Sequence, residues 1–165
     1  MQNIKREHMP RKILIAMDGS TNAMKAVAFV AKMFSYDCII TLFSVMRPVD
    51  LLCEMDFPAL KGYLSSHYPN YCREVDEHKE ASLKSALNDA RQRLIAAGFS
   101  ENNVLLISKT MKTDVALEII EESSNDYDVI VLGRRGLSPV KGFFLGSVSQ
   151  RVLSSAKEVS VLIVN

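Results

Sequence analysis

Apolar residues in this chain gather in short continuous runs, separated by longer stretches in which they recur every three or four positions. The first run, KILIAMD at 12–18, ends in Asp-Gly-Ser, the pattern of a buried strand giving way to a turn. Ser20 can cap the helix that follows, where Met24, Val27, Ala28 and Ala31 repeat at i, i+3, i+4, i+7. CIITLFSV at 38–45 predicts a second strand. From Met46 the pattern weakens, and Pro48, Pro58, Gly62 and Pro69 predict a long irregular connection over 46–72 with room for one helical turn.

Periodicity resumes with Leu83, Ala86, Leu87, Ala90, Leu94 and Ala97 on one helical face, with EVDEHKE on the solvated one. Gly98 can take the left-handed conformation that stops this helix. NVLLIS at 103–108 reads as the third strand, and Asp114 opens a helix with Ala116, Ile119, Ile120 and Ser123 on one side. DVIVLG at 128–133, a helix from about Ser147 and VSVLIVN at 159–165 complete the pattern. Five apolar strands alternating with four helices predict an α/β fold, a doubly wound parallel sheet covered by helices on both faces. Such sheets bind ligands at the carboxyl ends of their strands, near the point where strand order reverses. Asp18, Val45 and Gly133 all fall at those ends.

Composition narrows this only in part. A chain of 165 residues, 48% apolar and 24% charged, fits one domain over 1–165, with the basic start, residues 1–11, as a flexible arm. A formal charge of +1 supplies no global field to draw in nucleic acid or an anionic membrane. No apolar run reaches the ~18 residues of a membrane helix, and no apolar signal region follows the basic start. Cys38, Cys53 and Cys72 are odd in number and lack CxxC spacing, which suits a reducing, cytoplasmic setting.

The most specific chemistry lies in GRRGLSPVKGFFLGSVSQRV at 133–152. Gly133 ends the fourth strand, and Gly136 sits either where a tight turn needs positive φ or where a side chain would block a ligand. The nine residues LSPVKGFFL can arch over a bound group before Gly146-Ser147 begins a helix whose free N–H groups suit an anion. Ser147 and Ser149 add hydroxyls, so backbone and side chains together could hold a di- or triphosphate. The segment is neither a Walker loop nor G-x-G-x-x-G. Taken alone, a Gly-x-x-Gly is an ordinary strand-to-helix turn and Ser147 an ordinary cap.

The spacing of Gly133, Gly136, Gly146 and Ser147 resembles the G-x2-G-x9-G-[ST] motif of the ATP-binding members of the universal stress protein family. The likeness extends over nearly the whole chain: a first strand ending at Asp18, Ser20 two residues on, a second strand ending near Val45, and LGSVSQRVL like the family's terminal helix. It implies strand order 3-2-1-4-5, a homodimer through the last strands, and ATP with Mg or Mn in the cleft. On this resemblance the Val45 backbone meets adenine and the Asp18 carboxylate lies beside ribose and phosphates, directly or through a metal. Ser20 belongs to the same site, and Gly133, Gly136, Gly146, Ser147 and Ser149 form the phosphate and ribose loop. Two departures stand out. Thr113 replaces a glycine often found before the third helix, so the adenine-side wall is expected to be reshaped, and KEVSVLIV lacks a proline before the last strand.

The remaining candidates are weaker. Asp18 also fits a helix cap or turn, and Arg134, Arg135 and Lys141 fit solvated charges as well as phosphate ligands. His67, Cys72, His78 and Cys53 do not match a familiar zinc spacing. Phe57, Tyr63, Tyr68 and Tyr71 read as cover for the core or a dimer surface, Phe143 and Phe144 as loop anchors or an exposed patch. No water-activating base or nucleophile–histidine pair is evident, so catalysis beyond slow ATP hydrolysis is not expected. The expected function is an ATP-binding stress-response regulator that switches with nucleotide. The alternative is a dimeric interaction module of the same fold that binds none.

Overall fold

The structure, a computed structural model, describes residues 10–47, 71–137 and 144–165. The expected arm apart from Pro10 and Arg11, and nearly all of the expected 46–72 connection, lie outside the described residues, as do Cys53, His67, Lys141 and Phe143.

The elements run β1 (Lys12–Met17), α1 (Thr21–Met33), β2 (Ile39–Met46), α2 (Tyr71–Ala97), a short 3-10 turn (Glu101–Asn103), β3 (Val104–Thr110), α3 (Val115–Ser123), β4 (Val129–Gly133), α4 (Ser147–Ser155) and β5 (Ser160–Val164). The strands form one sheet in the order β3-β2-β1-β4-β5, and every pairing is parallel. The α/β fold, the doubly wound sheet and its order are thus as expected.

Successive strand residues supply opposite faces, which is why the strands read as continuously apolar. On one face Ile13, Ile15 and Leu42 pack with Val27 and Val30 of α1 and Leu87 and Leu94 of α2. On the other, Leu14, Phe43 and Ile130 pack with Ala116 and Ile119 of α3 and Val152 of α4. The α2 stripe matches its sequence period, since Leu87, Ala90 and Leu94 are buried. In α1 the stripe is turned by one position: Ala23, Ala26, Val27 and Val30 are buried and Ala28 is exposed. Between Ala23 and Ala31 only Lys25 is polar, so several apolar phases fit the sequence equally well and tertiary packing chooses among them.

Local chemistry sets the ends of the helices. The Ser20 hydroxyl accepts the Ala23 amide at 3.1 Å, and Asp114 accepts the Ala116 and Leu117 amides at 2.9 and 3.4 Å. Gly98, at φ +119, ends α2 in a conformation costly for any residue with a β-carbon.

Strand order decides where a ligand can approach. From β1 the chain builds outward through β2 to β3 and then returns to place β4 on the other side of β1. The connections leaving β1 and β4 therefore diverge to opposite faces, and the carboxyl ends of these two neighbouring strands border a crevice.

Candidate functional site

Asp18 follows β1, and Gly19 turns the chain at φ +78 into the Ser20 cap of α1. Its carboxylate takes two amides. Oδ1 accepts from Ser20 at 2.9 Å, within the same turn, and Oδ2 accepts from Leu137 at 3.1 Å, in the loop after β4.

The three glycines are tight for three different reasons. A β-carbon on Gly133 would stand 2.6 Å from the Asn22 carbonyl carbon, so β4 and the first turn of α1 touch backbone to backbone. Gly136 does not have positive φ, which leaves close approach as the reading of its missing side chain. What approaches is Asp18, whose Oδ2 would lie 2.5 Å from a β-carbon there. Gly146 lies against Arg135, with 3.3 Å from its would-be β-carbon to the Arg135 Cα.

Hydrogen bonds clamp the same segment. The Asn22 side-chain amide donates to the Arg135 carbonyl at 3.0 Å, and the Gly146 amide donates to the Arg134 carbonyl at 2.9 Å. The Arg134 amide donates to Val164 at 2.7 Å, extending the β4–β5 pairing into the loop. The loop thus leaves and returns through a closed base. At its rim the Arg134 guanidinium lies 5.4 Å from the centre of the Phe144 ring, which is 75% exposed.

At the start of α4 the cap is Gly146, which has no side chain to bond the free amides, and none of the described residues is seen capping them. Ser147 is exposed there. Ser149 faces inward, is 5% exposed, and donates its hydroxyl to the Gly133 carbonyl at 2.9 Å. The structure therefore brings Asp18, Ser20, Gly133, Gly136, Gly146 and Ser147 to one end of the sheet, with Ser149 beneath the loop as a brace. Val45 lies half-buried on the α3–α4 face of β2.

Next to this loop, a cavity of about 230 Å³ opens between the end of β2, the β3–α3 connection and the first turn of α4. Arg47, Thr113, Asp114, Val115, Ser147, Val148 and Arg151 line it, so Ser147 belongs to both the glycine motif and the cavity wall. Thr113 forms part of the wall without filling the space. Arg151 reaches Asp114 Oδ2 at 3.3 Å, bridging the starts of α3 and α4.

Two buried glutamates of α3 went unrecognised in the sequence. Glu118, 3% exposed, accepts the Lys112 amide at 3.0 Å and so fixes the connection that carries Thr113. Glu122 meets Lys109 Nζ at 2.7 Å, and the Tyr127 hydroxyl lies 3.2 Å from Glu122 and 3.0 Å from Thr41. The hydrogen bond that Lys109 donates to Glu122 raises the Lys109 pKa, and burial raises that of Tyr127. The only early signal was the i, i+4 spacing of Glu118 and Glu122, which reads equally well as a solvated face. His78 is exposed, and no group of three metal-ligating side chains occurs among the described residues. Among them, too, no helix is long and apolar enough to cross a membrane.

Comparison with known proteins bears on the family and the fold. The model of the universal stress protein family matches residues 9–165. A universal stress protein of Mycolicibacterium smegmatis is 26% identical over 152 residues, covering 92% of this chain and 47% of the relative. The chain thus spans about half the length of that relative. Universal stress protein UspA from Lactobacillus plantarum is similar in fold, with 20% identity, 94% of this chain and 97% of that one covered, and a TM-score of 0.65. A universal stress protein in complex with cAMP is similar over 94% and 97% of the two chains, at 20% identity and a TM-score of 0.58.

Proposed function

Because this chain belongs to the universal stress protein family, we propose that it is an adenine-nucleotide-binding regulatory protein whose ligand, ATP, occupies the crevice at the carboxyl ends of β1, β2 and β4. The observation that carries the reading is the meeting of the motif and the cavity at Ser147. The glycine loop and the uncapped start of α4 lie on one side of that residue, and an open pocket walled by Thr113 lies on the other. That a universal stress protein of similar fold is in complex with cAMP supports a nucleotide as the ligand.

In this reading the phosphates lie against Gly133, Gly136, Gly146 and Ser147, where backbone amides and the helix dipole favour negative charge. Val45 and the cavity take the base. The cavity far exceeds the ~30 Å³ share of a single water and falls short of the ~300 Å³ lower range of whole-ligand sites, which suits a base rather than an entire nucleotide. Asp18 is the carboxylate placed to meet a ribose hydroxyl or a Mg or Mn ion. Such an ion would be held mainly by phosphate oxygens, since hard cations in nucleotide sites need only one or two protein carboxylates.

Binding of nucleotide alters the surface presented at this end of the sheet and accompanies at most slow hydrolysis. The outer edge of β5 pairs with no strand among the described residues, which supports a homodimer through the C-terminal strand. In this reading the chain forms one nucleotide-binding domain and acts in the cytoplasm.

Mass spectrometry of nucleotide released from protein purified without added ATP, followed by calorimetry with MgATP, tests the reading. Adenine nucleotide in the released fraction and saturable binding are expected. No binding at millimolar MgATP would sink it in favour of a nucleotide-free interaction module.

A further inference from the structure

Three successive carbonyl oxygens at the end of β4 are each held by a donor from another part of the fold. Gly133 C=O accepts the buried Ser149 hydroxyl at 2.9 Å, and Arg134 C=O accepts the Gly146 amide at 2.9 Å. The third, Arg135 C=O, accepts the side-chain amide of Asn22 at 3.0 Å, in a part-buried bond that spans 113 residues of sequence. In a trans peptide C=O and N–H point in opposite directions. Holding Arg135 C=O toward α1 therefore turns the Gly136 N–H away from α1. Its neighbours are committed, Arg134 N–H to Val164 and Leu137 N–H to Asp18. Gly136 N–H meets no acceptor among the described residues.

That orientation does not enforce itself. A flip of the 135–136 peptide changes only ψ of Arg135 and φ of Gly136, and glycine takes either sign of φ at little cost. Flipped, the peptide presents a carbonyl oxygen where an anion needs a donor. Asn22 is well anchored to oppose the flip, because its own β-carbon is packed 2.8 Å from a β-carbon built on Gly133.

We propose that Asn22 is a positioning residue for nucleotide, which by holding Arg135 C=O aims the Gly136 N–H at a phosphate oxygen. The proposal rests on the nucleotide reading of this site and adds to it a residue of α1 that the glycine spacing does not contain. An amide bonded to a charged oxygen is worth about twice a neutral pair, so a side chain that touches no ligand acts on affinity through one peptide.

The test compares wild type with Asn22→Ala and Asn22→Leu. Both variants keep the β-carbon against Gly133 and neither can donate a hydrogen bond, while their two sizes separate a lost donor from a poor fit. Calorimetry measures inorganic triphosphate and ATP, each with excess Mg, and nitrogen–proton spectra follow the Gly136 and Ser147 amides. In wild type the Gly136 amide is expected to shift on adding triphosphate. Both variants should bind both ligands about tenfold more weakly. At saturation their Gly136 response should be lost and their Ser147 response kept.

Wild-type affinity in both variants overturns the proposal. A Gly136 amide that ignores saturating triphosphate in wild type overturns it as well, and needs no variant. So does joint loss of the Gly136 and Ser147 responses, which marks general damage to the site rather than one turned peptide. Each of these results can stand alongside normal MgATP binding by wild type, which keeps the nucleotide reading. Failure of wild type to bind MgATP overturns both together.

Discussion

Gly133 and Asn22 are packed backbone against backbone, with only 2.6 Å between a β-carbon built on Gly133 and the Asn22 carbonyl carbon. The first glycine of the motif is therefore fixed by the docking of α1 on β4, whatever else the loop does. Gly133→Ala has to push the helix off the strand, and overpacking of this kind costs roughly 1–3 kcal/mol. At about 2–4 °C per kcal/mol for a chain of this size, the melting temperature of the nucleotide-free variant should fall by several degrees. An unchanged melting temperature would show that the two elements are not so tightly apposed.

Gly136 should behave differently, because its neighbour is the movable tip of a side chain. Gly136→Asp brings a second carboxylate beside Asp18, so ATP binding should be lost while the circular dichroism spectrum and melting temperature stay near wild type. Retained affinity would remove Gly136 from the phosphate path. Taken together, the two substitutions separate a glycine needed by the fold from one needed by the ligand, a distinction that spacing alone cannot make.

Ser147 and Ser149 form a similar pair. Ser149 is buried and braces the Gly133 carbonyl, so Ser149→Ala should cost about 1 kcal/mol of stability, the usual net worth of such a bond. Ser147 is exposed at the start of α4, and Ser147→Ala should leave stability unchanged while weakening ATP several-fold. Denaturant unfolding and calorimetry on both variants check this, and the reverse assignment of effects would mean that Ser149 turns outward when ligand binds.

Much of this architecture was legible because local signals agreed with one another. Apolar runs marked every strand, and Ser20, Asp114 and Gly98 marked helix ends that the structure places where expected. The phase of α1 was not legible, since nearly all of its residues are apolar. Neither were the buried Glu118 and Glu122, because a glutamate reads as surface until the chain folds a lysine, an amide or a phenol against it. The tightness of Gly133 was hidden for the same reason: its partner, Asn22, is remote in sequence. Local periodicity encodes elements, while these residues are explained only by what the fold brings to them.

The Lys109–Glu122–Tyr127 cluster makes a prediction about pH. Lys109 is raised by its bond to Glu122 and Tyr127 by burial, so in the folded chain both hold their protons to higher pH than in the unfolded one. Unfolding then releases protons. This contribution is whole below the unfolded values near ~10 and drains away as pH climbs through the folded values. Tyr127→Phe should lose about 1 kcal/mol at neutral pH through its missing hydrogen bonds, yet show a shallower loss of stability between about pH 9 and 11. Parallel alkaline limbs for the two proteins would rule out the contribution of Tyr127.

Thr113 separates the base end of the proposed site from its phosphate end. It lines the cavity, sits next to Lys112, whose amide Glu118 holds, and is not among the atoms nearest a β-carbon built on any of the three motif glycines. A larger side chain there should fill the cavity without disturbing the loop. Thr113→Phe is therefore expected to weaken ATP at least tenfold, a loss of about 1.4 kcal/mol or more. Its affinity for inorganic triphosphate and its melting temperature should stay close to wild type. Equal weakening of both ligands would mean that the cavity communicates with the phosphates. Wild-type affinity for ATP would mean that the base does not enter between Thr113 and Ser147 at all, and the nucleotide would then have to lie wholly on the β1 side of the crevice.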